Sequence, residues 1–357
     1  MQRILLLVTD LEIGGTPTIV RELAIRLSRG GKAHVHVACL APAGPVARQI
    51  RDAGVKVTAL GSRAAYDVRI LPRLSRLVRE EKFDVILSFL IHANATAALL
   101  APFHGEIRWM QSIQTTQPEP RWHWALQRLI HPAADAIVVP TESVAEVAQR
   151  WCAIPPGKIV VIPNAVDPVD FADAHPPACI FERRPVPIGF IGRLDPVKRI
   201  GDLLEAVQRL DELVHLHIFG EGAARPAIEM CISALRVEKD VTLHGAIRRP
   251  QEALQQVGIL VLPSDAEGFG LVLIEAMAAG VNVVATDVAG IRDVVRDGQT
   301  GLLVAPRDPA ALAEAIRRMV SDAFLRQRLA ACGLAEVRAR FTWEIVVRKY
   351  EGLLGVA

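Results

Sequence analysis

The segment from Leu262 to Gly280 places two acids and two closely spaced glycines in one short stretch of the chain. An apolar run precedes this segment and an apolar helical pattern ends it, so the sequence predicts a strand, a tight loop and a helix start. Backbone N–H groups and the helix dipole bind anions at such a turn, and Gly268 and Gly270 let the backbone approach a ligand closely. Glu267 and Glu275 could accept hydrogen bonds from hydroxyl groups. The pattern indicates a ligand that carries both phosphate and hydroxyls, although a tight turn with two solvated acids is the alternative for this segment alone.

A second loop, Gly192 to Arg199, carries three cations immediately before a predicted helix. Arg193 and Lys198 lie in it together with backbone donors, a combination that is typical of an anion site. The loop lacks the G-K-[ST] ending of a P-loop, so its spacing excludes a P-loop NTPase. A solvated basic loop is the alternative interpretation.

Near the N-terminus, Gly14 and Gly15 follow the apolar run Ile4–Val8 and precede a helical pattern. They therefore lie at a strand-to-helix turn, which is the ligand edge of a doubly wound sheet. The pair lacks the G-x-G-x-x-G spacing of a dinucleotide site, and a purely structural glycine turn is the alternative.

Two further segments of the first half carry polar groups at predicted strand ends. His92 and Asn94 come at or just after the strand near Val85–Leu90, and His92 could carry a proton, bind a hydroxyl or be structural. The segment Arg108–Gln117, which includes Gln114, is dense in amides and hydroxyls, and two tryptophans follow it. Such groups suit a sugar or a lipid-linked ligand, and tryptophans that pack a helix onto the domain are the alternative.

Apolar runs alternate with helical patterns along the whole chain, which predicts an α/β fold with parallel βαβ units. Within Pro168–Pro185, around Pro176 and Pro177, the hydrophobic residues follow neither the strand period of 2 nor the helical period of 3.6. We expect a domain boundary there. We expect one Rossmann-like doubly wound domain over 1–175, a second over 186–338, and a C-terminal helix within 339–357 that crosses back to the first.

Composition narrows the functional classes. The 357 residues are 51% hydrophobic, so the chain can bury two large cores, and a formal charge of +2 does not favour nucleic acid as a partner. The five cysteines form no C-x-x-C pair and are expected to be reduced thiols of a cytoplasmic protein. No stretch approaches the ~20 apolar residues of a membrane-spanning helix, so any membrane contact is expected to be peripheral, at the inner face.

Taken together, these motifs resemble the retaining glycosyltransferases of the GT-B fold, family 4 type. Nearly the whole chain takes part in the resemblance, through Gly14-Gly15, Ile162–Asp167, Gly192–Lys198, Gly220-Glu221-Gly222, His244-Gly245, the pair Glu267 and Glu275 with seven residues between them, and Asp297–Gly301. The resemblance implies two Rossmann-like domains that face each other across a cleft, a nucleotide-sugar donor, and a glycan or lipid-linked sugar as acceptor. It also implies a metal-independent reaction with no cofactor, and no D-x-D triplet occurs in the chain.

The resemblance assigns roles to individual residues. Glu275 would bind the nucleotide ribose and Glu267 would face the donor sugar, while Arg193 and Lys198 would neutralise the diphosphate as it leaves. Backbone N–H groups of the four residues that follow Glu267 would hold sugar and phosphate; these are Gly268, Phe269, Gly270 and Leu271. Gly14 and Gly15 would approach the donor from across the cleft, and Gly245 with His244 would flank the base.

The main departure from the family lies on the acceptor side, where Gln114 stands in place of a histidine found in many relatives. Glutamine hydrogen-bonds but carries no proton, so His92 or the donor phosphate would have to receive the acceptor proton. A second departure, Ala289–Asp293, replaces a pattern of two glycines and a glutamate. The alternative functions are a non-catalytic sugar-nucleotide binding protein, which Gln114 motivates, and a GT-B epimerase or phosphorylase.

Overall fold

The computed structural model describes residues 1–62, 67–176, 178–247 and 249–356. The chain forms two compact units, one made of Met1–Asn164 with Glu344–Ala357 and the other of Ala165–Trp343. Each unit is built on a single sheet in which every strand pairing is parallel. The predicted fold class, two Rossmann-like α/β domains, is confirmed.

The sheet of the first unit has seven strands in the order β3-β2-β1-β4-β5-β6-β7. The interior strand β1 is buried from Ile4 to Val8, because helices cover both faces of the sheet, and this burial explains the unbroken apolar run. The strands are β1 (Gln2–Val8), β2 (Ala33–Cys39), β3 (Lys56–Ala59), β4 (Val85–Phe89), β5 (Arg108–Ser112), β6 (Ala136–Val139) and β7 (Ile159–Val161).

Six helices connect these strands, and their apolar sides pack into cores on the sheet. They are α1 (Gly15–Arg29), α2 (Pro45–Asp52), α3 (Ile70–Glu81), α4 (Ile91–Leu100), α5 (Trp122–Ile130) and α6 (Glu142–Cys152). All five cysteines of the chain are free thiols, as predicted.

The sheet of the second unit has six strands in the order β10-β9-β8-β11-β12-β13. The strands are β8 (Val186–Ile191), β9 (Val214–Phe219), β10 (Val241–Gly245), β11 (Ile259–Leu262), β12 (Asn282–Thr286) and β13 (Leu302–Val304). One large apolar core fills the space between this sheet and its helices. The helices are α7 (Ile200–Leu210), α8 (Arg225–Leu235), α9 (Pro250–Leu254), α10 (Leu271–Ala278), α11 (Pro309–Ser321) and α12 (Ala323–Arg340).

The last helix, α13 (Trp343–Leu354), returns the chain to the first unit from Glu344 onward. There Arg108 Nη2 donates a hydrogen bond of 3.0 Å to the carbonyl of Leu353. Within the described ranges, no helix is both long and apolar enough to cross a membrane.

The strand β5 and the helix α12 were not predicted from the hydrophobic pattern. β5 was missed because the buried polar residues Gln111 and Ser112 interrupt its hydrophobicity. α12 was missed because its buried positions, Leu325, Leu329, Gly333 and Val337, form only a narrow row four residues apart, in which Gly333 has no apolar side chain. Both elements depend on tertiary packing for their burial.

Strand order determines where ligands can bind in such sheets. In the first unit the order reverses between β1 and β4, and in the second it reverses between β8 and β11. Loops that follow these four strands leave the same edge of their own sheet and create a crevice at the reversal. The two reversals are called here the first and the second switch point.

Candidate active site

At the second switch point, Lys198 and Glu267 form an ion pair although they are 69 positions apart in the chain. Lys198 ends the loop that follows β8, and Glu267 lies in the loop that follows β11, the neighbouring strand. The two side chains are only 16% and 19% exposed. The sequence predicted both residues as site residues, and the sheet topology brings them into contact.

A hydrogen bond and several charged contacts join the two loops behind this pair. The backbone N–H of Asp265 donates to the carbonyl of Val197 at 2.8 Å. The Asp265 carboxylate lies 3.0 Å from Arg307 Nη2 and 3.9 Å from Arg199 Nε, and Arg199 also pairs with Asp202 at 2.7 Å. These contacts hold the Lys198 loop against the Glu267 loop and so fix the positions of the two residues of the ion pair.

Close backbone packing fixes the Glu267 loop from its other side. Gly290 has φ +86°, and a Cβ atom there would lie 2.1 Å from the Glu267 carbonyl oxygen. At Gly220 a Cβ would lie 1.9 Å from the Gly192 carbonyl oxygen. Only glycine permits either approach, because no rearrangement of a flexible side chain could relieve a clash with backbone. The loops that follow β8, β9, β11 and β12 are therefore interlocked.

The four residues after Glu267 complete the turn into α10. Gly268 lies in the loop beside Gly290, and Phe269 is buried with its ring 5.5 Å from that of Phe341. Gly270, at φ +77°, is the N-cap of α10, and Leu271 is the first helical residue. The predicted strand, tight turn and helix start are confirmed, whereas the backbone contacts of these four residues to a donor remain a prediction.

Glu275 lies on α10, one turn of helix beyond its start, and is half-buried. Burial raises the pKa of its carboxyl group to about 7. Across the described residues its carboxyl oxygens have no protein hydrogen-bond partner. A carboxyl group that is partly neutral near pH 7 can both donate and accept hydrogen bonds, which suits recognition of a diol.

Arg193 follows β8 but does not join the ion pair. Its guanidinium group is 71% exposed and lies 2.7 Å from Asp195. The structure therefore places this predicted cation on the same loop as Lys198, at its surface. In that position it is free to reorient towards an anion.

At the end of β10, Gly245 is preceded by His244, whose ring stacks on Phe219 with centroids 4.3 Å apart. His217 Nδ1 lies 2.9 Å from His244 Nε2, and burial together with the neighbouring histidines lowers the pKa of His217 to about 4. This aromatic stack was not predicted from the sequence. The alternation of histidine and apolar residues in β9 was the signal that could have revealed it.

At the first switch point, Gly14 is the N-cap of α1 and Gly15 its first residue, directly after the loop that leaves β1. A Cβ atom at Gly15 would meet nothing within 4 Å. The turn thus has open space beside it, as an approaching ligand would need, and the predicted strand-to-helix turn is confirmed.

Asn94 lies inside the first unit and is almost completely buried. Its amide accepts from Ser88 Oγ at 2.8 Å and donates to the Ser112 carbonyl at 3.1 Å and to Gln127 Oε1 at 3.2 Å. Gln127 in turn donates to Gln111 at 2.7 Å. This network joins α4 and α5 to β4 and β5, and an acceptor-binding role for Asn94 remains a prediction.

Gln114 and His92 are more accessible than Asn94. Gln114 Nε2 donates to Ser112 Oγ at 2.7 Å, and its Oε1 accepts from Asn164 Nδ2 at 3.4 Å. His92, in the first turn of α4, packs edge to face against Trp122 with ring centroids 5.9 Å apart. His92 and Asn94 are two positions apart on α4, which places them on opposite sides of the helix, so His92 faces away from the buried network.

In the described part of the chain, no group of three or more histidine, cysteine, aspartate or glutamate side chains is arranged to hold a metal ion. The expectation that the reaction needs no metal is not tested by this arrangement and remains a prediction.

Comparison with known families agrees with the geometry. Residues 13–170 match the family described as Glycosyltransferase Family 4, and residues 185–322 match Glycosyl transferases group 1. A phosphatidyl-myo-inositol mannosyltransferase of Mycobacterium leprae is 30% identical over 95% of this chain and 93% of that protein. The chain belongs to glycosyltransferase family 4.

Other relatives of this family 4 glycosyltransferase match it over shorter parts. A D-inositol 3-phosphate glycosyltransferase of Xylanimonas cellulosilytica is 32% identical over 74% of the chain and 64% of that protein. The chain thus spans less than two thirds of the length of this relative and of a second D-inositol 3-phosphate glycosyltransferase, from Stackebrandtia nassauensis. Anabaena HepE, solved in complex with UDP and glucose, superimposes with a TM-score of 0.88 at 17% identity, with both chains fully covered. This likeness shows that the family 4 chain has the GT-B fold.

Proposed function

We propose that this chain is a retaining, metal-independent glycosyltransferase. It moves a sugar from a nucleoside-diphosphate sugar, for which UDP is the first candidate nucleotide, to a hydroxyl of a glycan or lipid-linked acceptor. The observation that carries the proposal is the half-buried Lys198–Glu267 pair at the second switch point. Crevices at such points are where open α/β sheets bind nucleotides.

On the donor side, Lys198 supplies positive charge to the diphosphate. Its ammonium group has three N–H donors, so it can keep its contact with Glu267 while it donates to a phosphate oxygen. Arg193, exposed on the same loop, can turn towards the second phosphate. Negative charge on the diphosphate grows as the bond to the sugar breaks, so these cations stabilise the transition state more than the bound donor.

The two acids take separate roles in this proposal. Glu275, with its raised pKa and unpaired carboxyl group, hydrogen-bonds the ribose hydroxyls. Glu267, held in place by Lys198 and by the interlocked loops, faces hydroxyls of the donor sugar and orients the ring. Neither acid needs to act as a general acid or base.

In the transfer itself, the acceptor oxygen forms a bond to the anomeric carbon while the bond from that carbon to the phosphate oxygen breaks. In a retaining reaction the acceptor approaches from the side on which the diphosphate leaves, so the acceptor proton can pass to a departing phosphate oxygen. Gln114 carries no proton but can orient the acceptor hydroxyl. His92 is the second candidate for the proton, and it would act from the first switch point.

The choice of substrates rests on the relatives. HepE was solved with UDP and glucose, and the mycobacterial relative is named for mannosyl transfer to phosphatidyl-myo-inositol. We therefore place UDP ahead of GDP as the nucleotide and a glycan or a lipid-linked acceptor as the second substrate. A cytoplasmic location with peripheral membrane contact fits such an acceptor.

A panel of UDP-, GDP-, ADP- and dTDP-sugars, followed by thermal unfolding and by donor consumption, tests the proposal. One donor should raise the melting temperature and be consumed, because a ligand that binds only the folded state stabilises it. Donor binding without transfer or hydrolysis would favour the non-catalytic binding protein, and no shift with any donor would overturn the enzyme assignment.

Variants locate the reaction. Lys198→Ala and Glu267→Ala should each lower turnover by ~10²–10³-fold or more while the fold stays intact, as expected for groups that stabilise developing charge. Lys239→Ala is the matched control, because Lys239 forms an exposed ion pair with Glu212 in the same unit. Near-normal turnover in either site variant would contradict the assignment of Lys198 and Glu267 to the donor site.

A further inference from the structure

The first switch point opens into a cavity of about 520 Å³ that lies wholly within the first unit. Thr9 and Leu40, which follow β1 and β2, form its floor, and residues at the start of α3 and along α4 and α5 form its walls. Sites for small molecules span ~300–1,000 Å³, so this volume admits a ligand of substantial size. Of the described residues that line the cavity, the proposed reaction uses His92 alone.

Hydrocarbon dominates the walls of this cavity. Nine of the fourteen described residues that line it are apolar, among them Leu40, Ile70, Leu71, Ala95, Leu99 and Leu126. Two of the polar residues have partners in the protein, since Thr96 Oγ1 donates to the His92 carbonyl at 2.8 Å and Asp67 pairs with Arg69 at 2.7 Å, whereas Thr9 Oγ1 is buried with no hydrogen-bond partner in the described part of the chain. A mostly polar or charged ligand would lose more hydrogen bonds to water than the Thr9 hydroxyl and His92 can replace, whereas a mostly apolar ligand would gain from burial.

Exposed apolar side chains surround the opening of the cavity. Val68, Leu99 and Trp122 line it and are 72%, 59% and 42% exposed. Three of the ten large hydrophobic side chains that are exposed in the described residues therefore line this cavity. An apolar patch around a pocket indicates an interaction site, and a tryptophan at its edge suits the boundary between hydrocarbon and water.

His92 gives the cavity a polar end. The His92 ring lines the cavity and packs against Trp122, while the Gly14–Gly15 turn follows β1 at the same switch point. An elongated molecule could therefore lie with its hydrocarbon part between α3, α4 and α5 and its polar part beside His92.

We propose that this cavity binds the hydrocarbon chain of a lipid acceptor and presents the hydroxyl-bearing head of that lipid at the first switch point. The role of the lipid as an acceptor rests on the proposed function. Binding of the hydrocarbon chain does not, because it can be measured without any donor. Acceptor selection is thereby assigned to the apolar residues of α3, α4 and α5.

Straight-chain alkyl phosphates of 4 to 16 carbons, used below their micelle concentrations to displace a fluorescent fatty acid from the full-length protein, test the inference. Each added methylene should tighten binding by about fourfold while the cavity fills, and the gain should stop once it is full. An affinity that does not depend on chain length would overturn the inference. This measurement needs no variant.

Two substitutions on α4 locate the binding site. Ala95→Phe adds a ring to the wall of the cavity and should weaken binding of the long chains at least tenfold and shift the plateau to shorter chains. Ala98→Phe makes the same change on the same helix at a partly exposed residue outside the cavity wall, and should leave the series unchanged. Equal effects of the two substitutions, in variants whose melting temperatures match that of the native protein, would overturn the assignment.

The outcome separates the two proposals. Chain-length-dependent binding in a protein that consumes no donor would support the cavity and contradict the glycosyltransferase reaction. Donor consumption with no binding of any alkyl phosphate would do the reverse.

Discussion

The two switch points of the molecule have the same topology and different chemistry. At the second, two loops carry a half-buried ion pair, a carboxyl group with a raised pKa and glycines that lock the backbone. At the first, the corresponding loops border an apolar cavity. Two described titratable side chains line this cavity, Asp67, which is paired with Arg69, and His92.

In the proposed function, this difference explains how one sheet arrangement binds two substrates. Parallel strands bring loops together at the point where their order reverses, whatever the loop residues are. The loop residues then decide the ligand: charge and donors suit a diphosphate, and a hydrocarbon wall suits a lipid chain. The comparison predicts that damage to the second switch point changes donor chemistry, while damage to the first changes acceptor binding or the stability of the first unit.

The largest effect on stability is expected from Gly290→Ala. The new Cβ would lie 2.1 Å from the Glu267 carbonyl oxygen at a φ of +86°, so the backbone of the Glu267 loop must move. We expect a loss of about 4 kcal/mol in the free energy of unfolding, from left-handed strain and overpacking together. Chemical denaturation of the variant measures this loss.

Gly298→Ala is the matched control for that substitution. Gly298 also has a positive φ, +65°, but a Cβ there would meet nothing within 4 Å. Only the conformational cost of about 1–2 kcal/mol should remain. Equal losses in the two variants would show that the close approach to Glu267 does not matter.

A smaller loss is expected from Asn94→Ala in the first unit. The substitution removes three hydrogen bonds of a buried network and leaves Ser88 and Gln127 without this partner. The free energy of unfolding should fall by about 3 kcal/mol, because buried polar groups are costly to leave unpaired. Gln114→Ala, a change at a less buried amide, should cost less than about 1 kcal/mol. An Asn94→Ala protein of native stability with a raised KM for the acceptor would instead support the binding role predicted from the sequence.

The smallest effect, and one that depends on pH, is expected from Glu275→Gln. Burial raises the pKa of Glu275 from 4.5 to about 7, so the folded protein holds this proton more tightly than the unfolded chain. Stability therefore falls as pH rises from about 4.5 to 7 and then levels off. Glutamine removes this loss, so the variant should match the native protein at pH 4 and be more stable at pH 8 by about 2 kcal/mol. This is less than the ~3.4 kcal/mol to which a pKa change from 4.5 to 7 corresponds, because the half-buried carboxyl group stays partly solvated. A stability difference that does not change with pH would contradict the raised pKa.

Much of the architecture could be predicted from local sequence. The buried parallel strand β1 contains the unbroken apolar run Ile4–Val8, and its bounds in the structure, Gln2–Val8, agree with the prediction to within about two residues. The turns at Gly14 and Gly270 were predicted because a glycine follows a strand and precedes a helix. β5 and α12 were not predicted, because their burial comes from partners distant in the chain.

The site could be predicted as a set of residues but not as an arrangement. Glu267, Lys198 and Glu275 were identified from local motifs, yet nothing local specifies that Lys198 contacts Glu267, since that contact depends on β8 and β11 being neighbours. Strand order likewise places Asn94 inside a polar network and His92 at a cavity wall. Side chains two positions apart in a helix thus have different surroundings, which a motif does not reveal.

The central claim is that the second switch point binds the diphosphate of a nucleotide donor through Lys198. Calorimetric titration of UDP and of uridine into the native protein, Lys198→Gln and Lys239→Gln tests it most directly. The native protein and Lys239→Gln should prefer UDP to uridine by at least about 100-fold, and Lys198→Gln should lose most of that preference while it binds uridine unchanged. If Lys198→Gln bound UDP as tightly as the native protein does, the claim would be wrong.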